Sequence, residues 1–171
     1  MRLYTYFRSS AAYRVRIALN LKGLDYEQVP KHLLRGGGEH RLHDYRGINP
    51  QGLVPSLEHG GRVLGQSLAI IEYLEEIQPE PALLPAAPAD RALVRSMALG
   101  IACDIHPLNN LRVLKYLKGP LACDQDAVNA WYRHWVAEGF RGLETLALRH
   151  SADGRHLFGS AVTLADVLLV P

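Results

Sequence analysis

Four prolines, Pro79, Pro81, Pro85 and Pro88, fall within ten residues. Each fixes φ and removes a backbone N–H, so the segment can neither continue a helix nor join a central strand. The chain therefore builds on two sides of this break: residues 1–78, a proline-rich linker over 79–88, and residues 89–171.

The first side alternates strand and helix signals. Leu3-Tyr4-Thr5-Tyr6-Phe7 is aromatic and β-branched, as a strand requires, and Val15, Ala18 and Leu19 recur at helical spacing behind it. A turn at Lys22-Gly23 leads into a second strand at Tyr26–Pro30, which completes a βαβ unit with a parallel pair. Arg35-Gly36-Gly37-Gly38 is not followed by the Gly-Lys-Ser/Thr of a phosphate loop and reads as a mobile surface loop. His40 and His43 are spaced like a metal pair but have no third ligand, so both are expected to be solvated. Asn49-Pro50 and Gln51-Gly52 mark turns, and Val54-Pro55-Ser56-Leu57 opens a strand with proline at its first paired position. Gly60-Gly61 is a hairpin turn, Val63-Leu64 the returning strand, and Leu68–Glu76 a helix. The order βαβ then ββα describes an α/β domain with a four-stranded mixed sheet.

The second side reads as all helix. Asp90 can cap a run continuing to His106, where Pro107 breaks it. A helix resumes over Leu108–Leu117 and stops at Gly119-Pro120. Val128, Trp131, Trp135, Gly139, Leu143 and Leu146 form the buried stripe of a long helix from about Asp126 to Arg149. Thr163-Leu164-Ala165-Asp166 is a capping-box pattern, with Val162 and Val167 placed as a hydrophobic staple. The apolar helix that follows must be buried, and residues beyond Pro171 are expected to do it.

Composition narrows the partners. A net charge of +2 with no run of Lys or Arg argues against nucleic acid. No apolar stretch approaches the ~20 residues of a membrane span, and no secretory signal opens the chain. Cys103 and Cys123 form no CxxC pair and no metal spacing, which suits a reducing cytoplasm.

The chemistry concentrates where strand meets helix. Ser9 and Ser10 stand at the N-cap position, where unsatisfied N–H groups and a positive dipole end attract an anion, and Arg8 adds a charge beside them. Read alone, the serines serve equally as plain caps. Ser67 repeats the arrangement at a second helix N-terminus.

Across its whole length the sequence resembles the zeta class of glutathione transferases, the maleylacetoacetate isomerases. The resemblance rests on Ser9–Leu19, on Asn49-Pro50 through Val54-Pro55, on Gln66–Glu76, on Asp104–Arg112 in its bacterial form, and on Thr163–Asp166. It implies a thioredoxin-like N-terminal domain followed by a helical domain, a homodimer, and glutathione as cofactor. It also implies a dicarboxylate substrate whose maleyl group is isomerised to fumaryl by thiolate addition, bond rotation and elimination. Ser9 would donate to the glutathione sulfur, with Ser10 the alternative, inside a signature that continues through Ala11, Ala12, Tyr13 and Arg14. Val54 would pair its backbone with the tripeptide beside a cis Pro55, and Gln66 and Ser67 would hold the γ-glutamyl end. His106, Asn110 and Arg112 would contribute from the helical domain; Arg8 and Arg112 are the candidate cations for carboxylate and enolate. Two features depart from the family: Ala11 stands where a cysteine is frequent, and the chain ends early. Alternatives to maleylacetoacetate isomerisation are maleylpyruvate isomerisation, general glutathione transferase or peroxidase activity, and a non-catalytic glutathione-binding module.

Overall fold

Leu3, Tyr4, Thr5 and Tyr6 are all buried, so strand β1 (Arg2–Thr5) is covered on both faces. That is the signature of an interior strand with helices on either side. The computed structural model describes all 171 residues and divides into two compact units, Met1–Ala82 with Val170–Pro171, and Leu83–Leu169.

In the first unit the strand order is β2-β1-β3-β4. β2 (Glu27–Pro30) runs parallel to β1, while β3 (Ser56–His59) and β4 (Arg62–Gly65) are antiparallel neighbours joined through Gly60 and Gly61. Both glycines have positive φ, 57° and 74°, which a two-residue hairpin of matching twist requires. Helix α1 (Ser10–Leu21) buries Ala12, Val15, Ala18 and Leu19, and packs on helix α3 (Ser67–Ile77), which buries Ile70, Ile71 and Leu74. Lys22, just past α1, locks the pair: its ammonium lies 2.7 Å from Glu75 Oε2 and donates to the carbonyls of Gln78 (2.7 Å) and Pro81 (3.1 Å).

Residues 35–48 differ from the loop expected there. Two short 3-10 turns, Arg35–Gly37 and Glu39–Arg41, lead into helix α2 (His43–Ile48). The segment is pinned at its neck, where His32 N–H donates to Glu39 Oε2 at 2.8 Å and Glu39 N–H to the His32 carbonyl at 2.8 Å. Helical periodicity could not reveal a six-residue helix. His40 is 9% exposed rather than solvated, whereas His43 is fully exposed. β3 begins at Ser56, so Pro55 precedes the strand instead of opening it.

In the second unit, Leu83 and Leu84 are buried, and Pro88 is the first residue of helix α4 (Pro88–Leu99) rather than part of a linker. Proline suits that position because its missing N–H would have no helical partner; Asp90 therefore sits in the first turn and Ala87 is the cap. A π-helical turn, Gly100–Ile105, extends α4. Ile105 lies against Gly139 of the long helix α6 (Gln125–His150), where any Cβ would fall on its Cγ1 and Cδ1. Pro107 ends the run, and helix α5 is Leu111–Lys118, starting three residues later than the pattern suggests because Asn110 caps it.

Helix α7 (Leu164–Leu169) is buried within this unit: Leu164, Ala165, Val167 and Leu168 are at most 1% exposed, packed on α4 and the π-turn. Elements within the chain thus cover these four residues, and Val170 just after them is 67% exposed. The Asp166 carboxylate accepts from Thr163 N–H, Thr163 Oγ1 and Leu157 N–H, each at 2.8 Å. It thus caps its own helix and ties down the preceding loop. Val162, the other half of the expected staple, is 39% exposed.

Lys22→Met should lower unfolding free energy in urea by about 3 kcal/mol, because it removes a fully buried ammonium that meets the Glu75 carboxylate, itself only 13% exposed. Denaturation that matches the parent protein's would show that the pair contributes nothing.

Candidate active site

The chain turns sharply between β1 and α1. Ser9 N–H donates to the Tyr6 carbonyl at 3.0 Å, closing Tyr6-Phe7-Arg8-Ser9 into a turn with Phe7 and Arg8 exposed at its tip. Ser9 is the N-cap of α1, and its Oγ accepts from Ala12 N–H at 3.2 Å. The hydroxyl proton of Ser9 has no acceptor within the chain and remains to be donated outward. The N–H groups of Ser10 and Ala11 likewise have no partner. Ser10 Oγ, in contrast, donates to the Pro171 carbonyl at 3.1 Å. Of the two serines, Ser9 is thus the one with a free donor at the positive end of the helix.

A second open element lies beside it. The register pairs Tyr4 with Ser56 and Ser56 with Gly65. This brings the end of β1, the start of β3 and the end of β4 to one edge of the sheet, so the Ser9 turn, Val54-Pro55 and Gln66-Ser67 cluster there. Val54 makes no backbone hydrogen bond within the chain, and its peptide to Pro55 is cis. The residues around it are firmly tied. The Leu53 carbonyl accepts from Tyr45 Oη at 2.6 Å and Asn49 Nδ2 at 2.9 Å, and both groups also meet Ser56 Oγ at 2.9 Å. Tyr45 is 1% exposed, and burial pushes its phenol above the ordinary value of 10.0. Gln66, with φ 65°, is the cap residue of α3 but gives no side-chain cap, so the N–H groups of Ser67, Leu68 and Ala69 stay unpaired. Its side chain donates to Gln51 Oε1 at 3.0 Å.

The remaining expected site residues fall into three groups. Arg8 is exposed with no ion pair, beside the Ser9 hydroxyl in sequence and at the same turn. Ala12 and Arg14 are 0% and 3% exposed, so their side chains are buried. Ala11 is half-buried, and Tyr13 is exposed with its ring against Arg16, the guanidinium carbon 5.0 Å from the centroid. In the helical unit, Asn110 acts as the cap of α5: its Oδ1 accepts from Arg112 N–H at 3.1 Å, and its amide lies 3.5 Å from His106 Nε2. Arg112 is exposed.

Three groups escaped the sequence reading. Tyr45 and Asn49 hold the Val54 segment from behind, and Arg16 ties the β1–α1 turn: it donates to Thr5 Oγ1 at 2.7 Å and to the Tyr6 and Phe7 carbonyls at 3.4 Å. Only Asn49, already marked as a turn residue, carried any local signal. The sheet edge offers a hydroxyl donor, two sets of free helix N–H groups, an unpaired stretch of backbone at Val54 and one cation. That set suits an anionic peptide-like ligand carrying an acidic sulfur group.

Comparison with known proteins gives the family. Residues 3–82 match the family model described as glutathione S-transferase, N-terminal domain. A probable maleylacetoacetate isomerase of Vibrio cholerae is 53% identical over 99% of this chain and 78% of its own. Among solved structures, a holo maleylpyruvate isomerase, described as a bacterial zeta-class glutathione S-transferase, superposes with a TM-score of 0.93 at 48% identity, covering 98% of this chain and 78% of that one. A maleylacetoacetate isomerase from Methylobacterium extorquens AM1, solved with bound malonate and glutathione, gives 0.91 at 42% identity with the same coverage.

Because the raised phenol of Tyr45 favours its neutral form in the folded state, its contribution to stability is intact below pH 10.0 and is lost as pH rises through the folded value. Stability should therefore decline above that pH. The decline should be shallower in Tyr45→Phe, read as urea midpoints across an alkaline series; equal slopes would rule Tyr45 out as its source.

Proposed function

Since the chain belongs to the zeta class of glutathione transferases, the family of the maleylacetoacetate isomerases, we propose that it isomerises a maleyl keto acid to its fumaryl form with glutathione as cofactor. The observation that carries the reading is the unpaired Val54 backbone, held open between two helix N-termini. A tripeptide in extended form can pair with Val54 as an added strand would. Its γ-glutamyl carboxylate suits the free N–H groups at Gln66 and Ser67, and its thiol suits the Ser9 hydroxyl.

Bound glutathione supplies the thiolate that adds to the double bond and departs after rotation. The protein's part is to keep that sulfur ionised and to hold the substrate's charges. Ser9 donates its hydroxyl proton while Ala12 N–H fixes the oxygen, and the free N–H groups of Ser10 and Ala11 add the positive end of α1. Each unit by which they lower a thiol pKa of ~8.5 corresponds to ~1.4 kcal/mol of preference for thiolate. Arg8, unpaired on the adjacent turn, is the cation for a substrate carboxylate. Malonate, the acid bound with glutathione in the Methylobacterium protein, is itself a dicarboxylate. His106 and Arg112 are the helical unit's proposed contributors, with Asn110 holding His106 by their 3.5 Å contact.

Relatives and neighbours bear both maleylacetoacetate and maleylpyruvate names, and these acids share the maleyl end that Arg8 would meet. We propose that the protein serves aromatic amino acid catabolism in the cytoplasm and works as a homodimer. No helix is long and apolar enough to cross a membrane.

Ser9→Ala should lower kcat/KM by about a hundredfold, the scale of losing one anion-stabilising donor. It should move the pH–rate profile upward and leave glutathione affinity within about threefold, since the contacts at Val54, Gln66 and Ser67 survive. An unchanged rate and profile would remove Ser9 from the mechanism. Arg8→Ala should instead raise the substrate KM about tenfold with the profile in place. Sedimentation at micromolar concentration should give a dimer of the 19.0 kDa chain; a sole monomer would overturn the dimer assignment.

A further inference from the structure

Arg16 stands nearly two turns into α1, where a solvated side chain would be unremarkable. Its guanidinium instead turns back under the β1–α1 junction. It donates to Thr5 Oγ1 at 2.7 Å and reaches the Tyr6 and Phe7 carbonyls at 3.4 Å, so one planar group spans the last strand residue and the first two turn residues. The Tyr6 carbonyl also receives Ser9 N–H, so the bond that closes the turn and the bond that anchors it share one oxygen. Tyr13, three residues earlier on the helix, lays its ring against the guanidinium and limits its motion. Every acceptor of Arg16 is neutral, and no carboxylate pairs with it.

We propose that Arg16 is a positioning residue for the reaction, holding the Tyr6–Ser9 turn so that the Ser9 hydroxyl meets the cofactor sulfur while an uncompensated positive charge lies behind it. This rests on the isomerase reading above and adds to it a residue that touches neither cofactor nor substrate. The physical reason is geometric. Phe7 and Arg8 are exposed and their side chains make no hydrogen bond, so beyond the edge contact of the Phe7 ring with Tyr6, 4.8 Å between centroids, the tip has little to hold it. Its shape depends on the carbonyls beneath it. A hydroxyl misplaced by a fraction of an ångström donates poorly, and the loss appears in the acidity of the thiol before it appears in binding.

The test is a titration of glutathione bound to the enzyme without substrate, followed by the ultraviolet absorbance of its thiolate, in the parent protein, Ser9→Ala, Arg16→Met and Arg16→Lys. Arg16→Met should raise the apparent pKa by about one unit, which is a tenfold loss of thiolate at lower pH. Arg16→Lys, which keeps the charge but not the fork, should fall between Met and the parent. Glutathione affinity should change by less than about threefold in both. A parent-like titration in Arg16→Met, with only a lower melting temperature, would reduce Arg16 to a structural prop and overturn the proposal. If Ser9→Ala leaves the titration unmoved, the isomerase reading of Ser9 fails first; a shift in Arg16→Met without one in Ser9→Ala refutes action through Ser9. Should Arg16→Met not fold, Thr5→Val removes the shortest of the three bonds, and the absence of any upward shift there overturns the proposal equally.

Discussion

Val54 keeps its N–H and C=O unpaired at the edge of a sheet, although open backbone at such a place tends to find a partner. It stays available because its neighbours have no freedom left. The Leu53 carbonyl takes two side-chain bonds, Ser56 is already in register with Tyr4 and Gly65, and Tyr45 and Asn49 are locked between them. Most of the first unit serves that arrangement. β1 supplies the register, α2 delivers Tyr45, and Gly52, at φ 60°, turns the chain back beneath the site where a Cβ would crowd the His40 carbonyl.

Charge at the same edge is biased in one direction. Two helix N-termini meet the register-matched ends of the strands there, and neither has all its N–H groups satisfied. Arg8 and Arg16 add two cations without carboxylate partners, while three acidic residues of this unit are engaged elsewhere: Glu58 with Arg2 and Tyr4, Glu75 with Lys22, Glu39 with His32. An anion at this edge therefore meets attraction from four sources and no nearby opposing carboxylate in those pairs. Ser9 combines with this field through a single oxygen that is both cap acceptor and outward donor. A helix cap and an anion site are thus one structure here, and the choice between them posed by the sequence dissolves.

The helical unit shows how a small residue can set larger geometry. Gly139 lets Ile105 approach α6 without a Cβ in the way, and Ile105 ends the π-turn that leads into His106, Pro107 and the Asn110 cap. Trp131 reinforces the same stretch by donating to the Leu108 carbonyl at 2.8 Å. α7 closes this unit from within, its four buried apolar residues packed on α4 and the π-turn and its Asp166 carboxylate satisfied three times.

Local chemistry was enough to determine most of the longer elements and several of their ends. Aromatic and β-branched residues placed the first strand, Gly60-Gly61 the hairpin, the Ser9-Ser10 pair the cap and Pro107 the break, because each acts through its own φ, ψ or side-chain oxygen within a few residues. The zeta-class signature at Ser9–Leu19 marked the family for the same local reason. What needed the folded chain were matters of long-range pairing. Whether Ser9 or Ser10 keeps a free proton depends on the Pro171 carbonyl, 161 residues away. His40 looks solvated in sequence and Arg14 stands in the binding signature, yet both are buried in the fold, where the neck at His32 and Glu39 ties down the segment holding His40. The bonds of Tyr45 and Arg16 likewise form only once β1, α1, α2 and the Leu53 loop have met, because hydrogen bonds to backbone carbonyls leave no periodic trace in the residues that make them.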